Sequence, residues 1–205
     1  MAIAESAPSD GRRLRGDRTR RAILDAAARL ASVEGLEGLS IGRLADHLNI
    51  SKSGLYAHFR SKEALQVAAI RTADEIYTRD LVIPAMESAP GRDRLIRFCD
   101  LFLDYIRDGP FPGGCFFIAS TIDPARARQP VRDALADVQS RLLGFFEECV
   151  REAQRSGQVS VQLDARQMAF AVDGVLVGAD LNFLLFRDPG YLELARSEVR
   201  RLLGA

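Results

Sequence analysis

At 205 residues, 47% apolar and 27% charged, the chain has an ordinary globular composition, which excludes disordered and collagen-like classes. Its 28 basic and 28 acidic residues cancel, which excludes a uniformly basic nucleic-acid coat. The charge is nonetheless polarised: residues 1–62 hold 11 basic and 7 acidic side chains, and residues 63–205 hold 17 and 21. The only lysines, Lys52 and Lys62, both lie in this basic head. Cys99, Cys115 and Cys149 are odd in number, widely spaced, and fit no zinc or disulfide pattern. No run approaches the roughly 20 apolar residues that span a bilayer, and Met1 to Gly11 lacks the apolar core of a signal peptide. A reduced, cytoplasmic protein without a membrane partner is expected.

Residues 1–16 read as a flexible basic arm. The cluster Arg12, Arg13, Arg15, Arg18, Arg20 and Arg21 follows from it into the next element. It is either a solvated tail or an arm that touches phosphate or a minor groove. A first helix is expected from Asp17 to Glu34, with Ile23, Ala27, Leu30 and Ala31 on one face and Gly35 ending it. Ser40 then caps a helix carrying Ile41, Leu44, Ala45 and Leu48 at helical spacing. Asn49 tolerates the left-handed turn that follows. Ser51 caps a short third helix with Leu55, Tyr56 and Phe59, and Ser61 caps a fourth with Leu65, Ala68, Ala69, Thr72 and Ile76 inward.

Pro84 and Pro90 bracket a break, which places the domain boundary near 80–90. The body, 85–205, reads as all helix. Helices are expected over 93–108, from Pro130 to Gly157, from Asp164 to Phe186, and from about Leu192 to Leu202. A Pro/Gly cluster over 109–114 precedes a short apolar segment, Cys115 to Thr121, and Asp123-Pro124 reads as a turn or helix start. The fold class is therefore all-α, a small N-terminal domain over 17–80 with a connecting helix at 61–80, followed by a larger helical domain.

The stretch from Ser40 to Phe59 has the geometry of a helix-turn-helix. Ala45 is small where the helices cross, and Ile41, Leu44, Leu48, Ile50 and Leu55 form the shared core. In such a motif the second helix enters the DNA major groove. The residues around it sharpen the reading. Thr19 to Ala27, then Gly35-Leu36-Glu37-Gly38-Leu39-Ser40-Ile41, Leu44-Ala45, Ile50 to Phe59 and Ser61-Lys62-Glu63-Ala64-Leu65 closely resemble the N-terminal domain of the TetR family of bacterial transcriptional regulators. The likeness covers about a quarter of the chain. Asn49 departs from the glycine usual there but tolerates the same backbone.

The motif assigns roles to particular residues. Ser51, Lys52 and Ser53 open the recognition helix and are expected at base edges and phosphates, with Ser51 also able to act only as a cap. Gly54, which costs about 1 kcal/mol against Ala in a helix, serves close approach to DNA or tight packing. Tyr56 and His58 resemble the family's phosphate contacts. Lys62 opens the fourth helix, where an ammonium and the helix N-terminus both favour an anion. Ser40 and Arg43 are expected to grip phosphate. Few side chains remain to read bases, so the resemblance implies a homodimer on a palindromic operator.

For the body, the resemblance implies an effector pocket and a dimer interface. The last two helices carry the apolar stripes for an interface, with Gly174 and Gly178 as a close-approach pair, although intramolecular packing would use the same stripes. Phe102, Cys115, Phe116, Phe146, Phe170 and Asp173 are the pocket candidates, and they suit a hydrophobic or aromatic small molecule. Asp173 either orients a polar end of it or faces solvent or the interface. Two further readings of the scaffold stand beside a ligand-released repressor: a thiol redox sensor and an activator without a ligand. With only His47 and His58, no nucleophile motif and no phosphate loop, neither an enzyme nor a cofactor is expected.

Overall fold

The computed structural model describes residues 10–121 and 127–205, and no strand forms among them. Helix α1 (Asp10–Gly38) begins earlier than expected and takes in residues read as the arm, because the Arg and Leu residues there are good helix formers. Residues 1–9, the side chains of Arg12, Arg13 and Arg15, and the Asp123-Pro124 turn lie outside the described residues. Gly35 interrupts α1 at φ +71°, a backbone open to glycine. Helices α2 (Ile41–Leu48) and α3 (Lys52–Tyr56) follow, joined at Asn49 with φ +53° and ψ +44°. Ser40, Ser51 and Ser61 each cap the next helix by accepting a backbone N–H three residues on.

Helix α4 (Lys62–Tyr77) continues in helical form beyond Tyr77. It passes through a π turn at Thr78–Val82 into α5 (Ile83–Met86). The turn accommodates Pro84, which has no N–H for the α-helical ladder and would crowd the carbonyl four residues before it. The chain turns only at residues 87–91. The body then lays down α6 (Arg92–Asp108), α7 (Phe116–Thr121), α8 (Gln129–Arg155), α9 (Ala165–Phe186) and α10 (Gly190–Leu203). Arg196 and Arg200 of α10 both bond the Asp100 carboxylate of α6, at 2.7 and 2.8 Å. Glu152 of α8 accepts from the Gly91 N–H at the start of α6.

Two expectations about apolar residues are corrected here. Ile50, expected in the motif's core, is 42% exposed, because the left-handed turn at Asn49 swings it outward. Helix α9, with an 18-residue window of mean hydropathy 1.7, is long and apolar enough to cross a membrane by length and composition. That overturns the expectation that no segment is. It packs on α8 and α10 on one side while Phe170, Leu181 and Leu185 stay exposed on the other.

Candidate DNA-binding face and effector cavity

The small domain is held by Ile23, Ala27, Leu44, Ala45, Leu55 and Phe59, all buried. Phe59 anchors the end of the α3 segment. Arg20 of α1 lies over its ring at 5.2 Å and donates to the His58 carbonyl at 3.4 Å. Arg20, read from sequence only as part of a basic cluster, thus ties α1 to the recognition helix.

The N-terminal end of α3 is an exposed polar surface. Ser51, Lys52, Ser53 and Gly54 are all exposed, as are Tyr56 and His58. Ser51 Oγ accepts from the Gly54 N–H at 3.2 Å, so this serine does cap. Lys52 has no ion-pair partner among the described residues, and its ammonium end lies over Gly42 on α2. A Cβ at Gly54 would meet only Ser51 Oγ, at 3.2 Å, so no neighbouring element crowds this glycine.

Three other expected DNA contacts are engaged within the protein. Ser40 Oγ caps α2 through the Arg43 N–H at 3.1 Å. The Arg43 guanidinium pairs with Glu34 of α1, its Nε at 3.0 Å from a carboxylate oxygen. Lys62 Nζ reaches the Glu37 carbonyl at 2.7 Å and its carboxylate at 3.0 Å, closing the end of α1. These pairs join residues 9 and 25 positions apart, a distance that local spacing does not reveal.

The body encloses a cavity of about 290 Å³ between α4, α6, α7, α8 and α9. Of the six predicted pocket residues, Phe102, Cys115 and Asp173 line it. Phe116 and Phe146 are fully buried in the core instead, and Phe170 is 71% exposed on the outer face of α9. The walls also include Tyr77, Phe117 and Gln139, which sequence reasoning missed. Gln139 Nε2 donates to Asp173 Oδ2 at 3.1 Å. Burial raises the Asp173 carboxyl above its ordinary range, partly offset by that bond.

The loop before α7 joins this cavity to the small domain. A Cβ at Gly113 would fall 1.8 Å from the Ser32 carbonyl oxygen of α1. Gly114, at φ +81°, lies against Asp180 of α9, whose Oδ1 accepts from the Cys115 N–H at 3.0 Å. Cys115 itself lines the cavity, so one strand of loop touches α1, α9 and the cavity at once.

Residues 23–69 match the family described as "Bacterial regulatory proteins, tetR family", and residues 91–199 match "Tetracyclin repressor-like, C-terminal domain". The chain belongs to the TetR family. It is a transcription regulator with a DNA-binding helix-turn-helix, and its matched relatives are transcription regulators too. The HTH-type transcriptional repressor NemR of Escherichia coli K12 is 21% identical over 187 residues, 90% of this chain and 94% of NemR. A TetR transcriptional regulator from Chloroflexus aurantiacus J-10-FL superposes with a TM-score of 0.85 at 24% identity, covering 93% of this chain and 96% of that one. AibR, solved with isovaleryl coenzyme A and operator DNA, superposes with a TM-score of 0.70 at 23% identity, covering 89% and 97%. At these identities the solved structures show the fold of this TetR-family regulator and nothing finer.

Proposed function

We propose that this TetR-family regulator is a cytoplasmic repressor that binds a palindromic operator as a homodimer and is released by a small hydrophobic or aromatic effector. The observation that carries the DNA reading is the exposed start of α3. There Ser51, Lys52, Ser53 and Gly54 stand on a capped helix, with Tyr56 and His58 beside them. Arg43 and Lys62 join them at phosphate by exchanging partners, since exposed ion pairs are each worth only about 0–1 kcal/mol. The dimer reading is supported by α9, where Phe170, Leu181 and Leu185 form an exposed apolar stripe. Gly174 and Gly178 have open space around them, room for a partner helix.

Residues 17–80 serve as the DNA-binding unit and 85–205 as the sensing and dimerising unit. Tyr77 crosses that line and puts the connecting helix in the cavity wall. A ligand that prefers one arrangement of α4 and α7 therefore alters the pose of α1 and the spacing of the two recognition helices. The test is fluorescence anisotropy on the intergenic DNA upstream of the protein's own reading frame, titrated in salt. The expected result is saturable binding, one dimer or a pair per site, with a steep negative salt slope. Equal, weak binding to unrelated DNA would count against the operator reading.

Two predictions arise here. Gly54→Ala should leave the melting temperature within a few degrees, because the new methyl meets only Ser51 Oγ and helix propensity gains about 1 kcal/mol. Operator affinity should fall roughly ten-fold or more, because one methyl then stands between α3 and the groove, a cost of about 1.4 kcal/mol. Anisotropy and a thermal melt on the same sample separate the two effects. The thiol reading gives the second prediction. All three cysteines are buried, and burial pushes Cys115 and Cys149 up to about 12 and Cys99 higher still. Almost no thiolate forms near neutrality, and thiolate is the reactive species. Peroxide treatment should therefore leave operator binding unchanged, as an anisotropy titration before and after exposure would record.

A further inference from the structure

The effector reading leaves the ligand's chemistry open, and the cavity walls narrow it. Three aromatic rings contribute to the walls: Tyr77, Phe102 and Phe117. Among the described residues no Lys, Arg or His lines the cavity, and the single ionisable carboxylate is Asp173. Its position on α9 is partly buried, and among the described residues no cation pairs with it. The Gln139 amide spends an N–H on Asp173 Oδ2, which leaves the amide oxygen and Asp173 Oδ1 as neighbouring acceptors.

A carboxylate withdrawn from water without a counter-charge is costly, and a bound cation recovers that cost. Aromatic faces attract the same charge. An anionic ligand would meet like charge and, among the described residues, no compensating base. We infer that the effector is a small organic cation, an ammonium on an apolar or aromatic body, with its charge against Asp173 and Gln139 and its body against Tyr77, Phe102 and Phe117. This rests on the reading of the cavity as the effector site. At about 290 Å³ the space lies at the lower end of the roughly 300–1,000 Å³ usual for small-molecule sites. A single-ring amine suits it, and an extended polyanion such as a coenzyme A thioester does not.

The experiment is calorimetric titration of the full-length protein with three probes of one shape: 2-phenylethylamine, 2-phenylethanol and phenylacetate. Their four-carbon-chain homologues, 4-phenylbutylamine, 4-phenylbutanol and 4-phenylbutyrate, extend the series. The amines should bind roughly ten-fold or more tighter than the alcohols, and the acids should not bind measurably, the pattern expected where a desolvated charge pair decides recognition. Asp173→Asn should erase the preference of amine over alcohol, with its unliganded thermal melt as the folding control. The wild-type ranking stands as a test by itself if that variant does not fold. Alcohols that bind as tightly as the amines would overturn the cation while leaving the cavity as the effector site. Acids that bind best would overturn it as well. If no probe of any charge binds, the cavity reading falls and the cation falls with it.

Discussion

Gly113→Ala is expected to lower the melting temperature by roughly 2–12 °C. A Cβ there would lie 1.8 Å from the Ser32 carbonyl oxygen, 2.5 Å from its carbon and 3.1 Å from the Val33 nitrogen. These are backbone atoms of α1, so no rotamer change relieves the contact and the loop or the helix must move. Overpacking of this kind costs about 1–3 kcal/mol and occasionally more. In a chain of this size each kcal/mol shifts the midpoint by about 2–4 °C. Gly144→Ala is the matched control, since its Cβ meets nothing within 4 Å inside α8. It should hold or raise the midpoint by adding helix propensity. A scanning melt of the three proteins decides the matter. Equal midpoints for Gly113→Ala and the unmodified chain would mean that the loop does not bear on α1. Because the same loop carries Cys115 into the cavity wall, the variant should also shift operator affinity.

Much of the fold was legible because its signals are local. Ser40, Ser51, Ser61 and Asp164 announce their helices by a side chain that reaches three residues ahead, and Asn49 announces the turn by its own backbone. The buried stripe of α8, Val131, Leu135, Val138 and Cys149, follows from spacing alone. The cavity was not legible in the same way. Phe116 and Phe117 are neighbours in sequence, yet only Phe117 lines it, because the Gly113-Gly114 loop sets the rotation of α7. Tyr77 is not legible as a cavity residue because it lies on the connecting helix, which the sequence groups with the DNA-binding domain and which places its side chain in the cavity wall. Phe170 was misplaced because α9 is apolar on both its buried and its exposed faces, so periodicity could not say which was inside. Spacing presents Arg43 and Lys62 as open cations because their partners, Glu34 and Glu37, sit on another helix.

Asp180 should make the protein lose stability as pH rises from about 4 to about 6. The residue is 1% exposed, and burial pushes its carboxyl from 3.8 up to about 6, against the opposing effect of the Cys115 N–H. Between those two values the folded chain keeps a proton that the unfolded chain releases, so the proton favours the folded state. That contribution is fully present below the unfolded value and is lost as pH rises through the folded one, with little change above. A displacement of this size corresponds to about 3 kcal/mol. Other carboxylates titrate over the same range, so the informative quantity is a difference. Asp180→Asn keeps an oxygen to accept the Cys115 N–H but cannot ionise, and its amide adds an offset that does not depend on pH. Urea unfolding of both proteins from pH 4.5 to 7.5 should show the variant gaining on the unmodified chain by about 2 kcal/mol across that range. A constant difference would mean that Asp180 titrates like a solvated carboxylate. At neutral pH the ionised oxygen makes the stronger, charge-assisted bond to the loop between α1 and the cavity. The side chain thus trades global stability for a tighter hold on the segment through which the two domains meet.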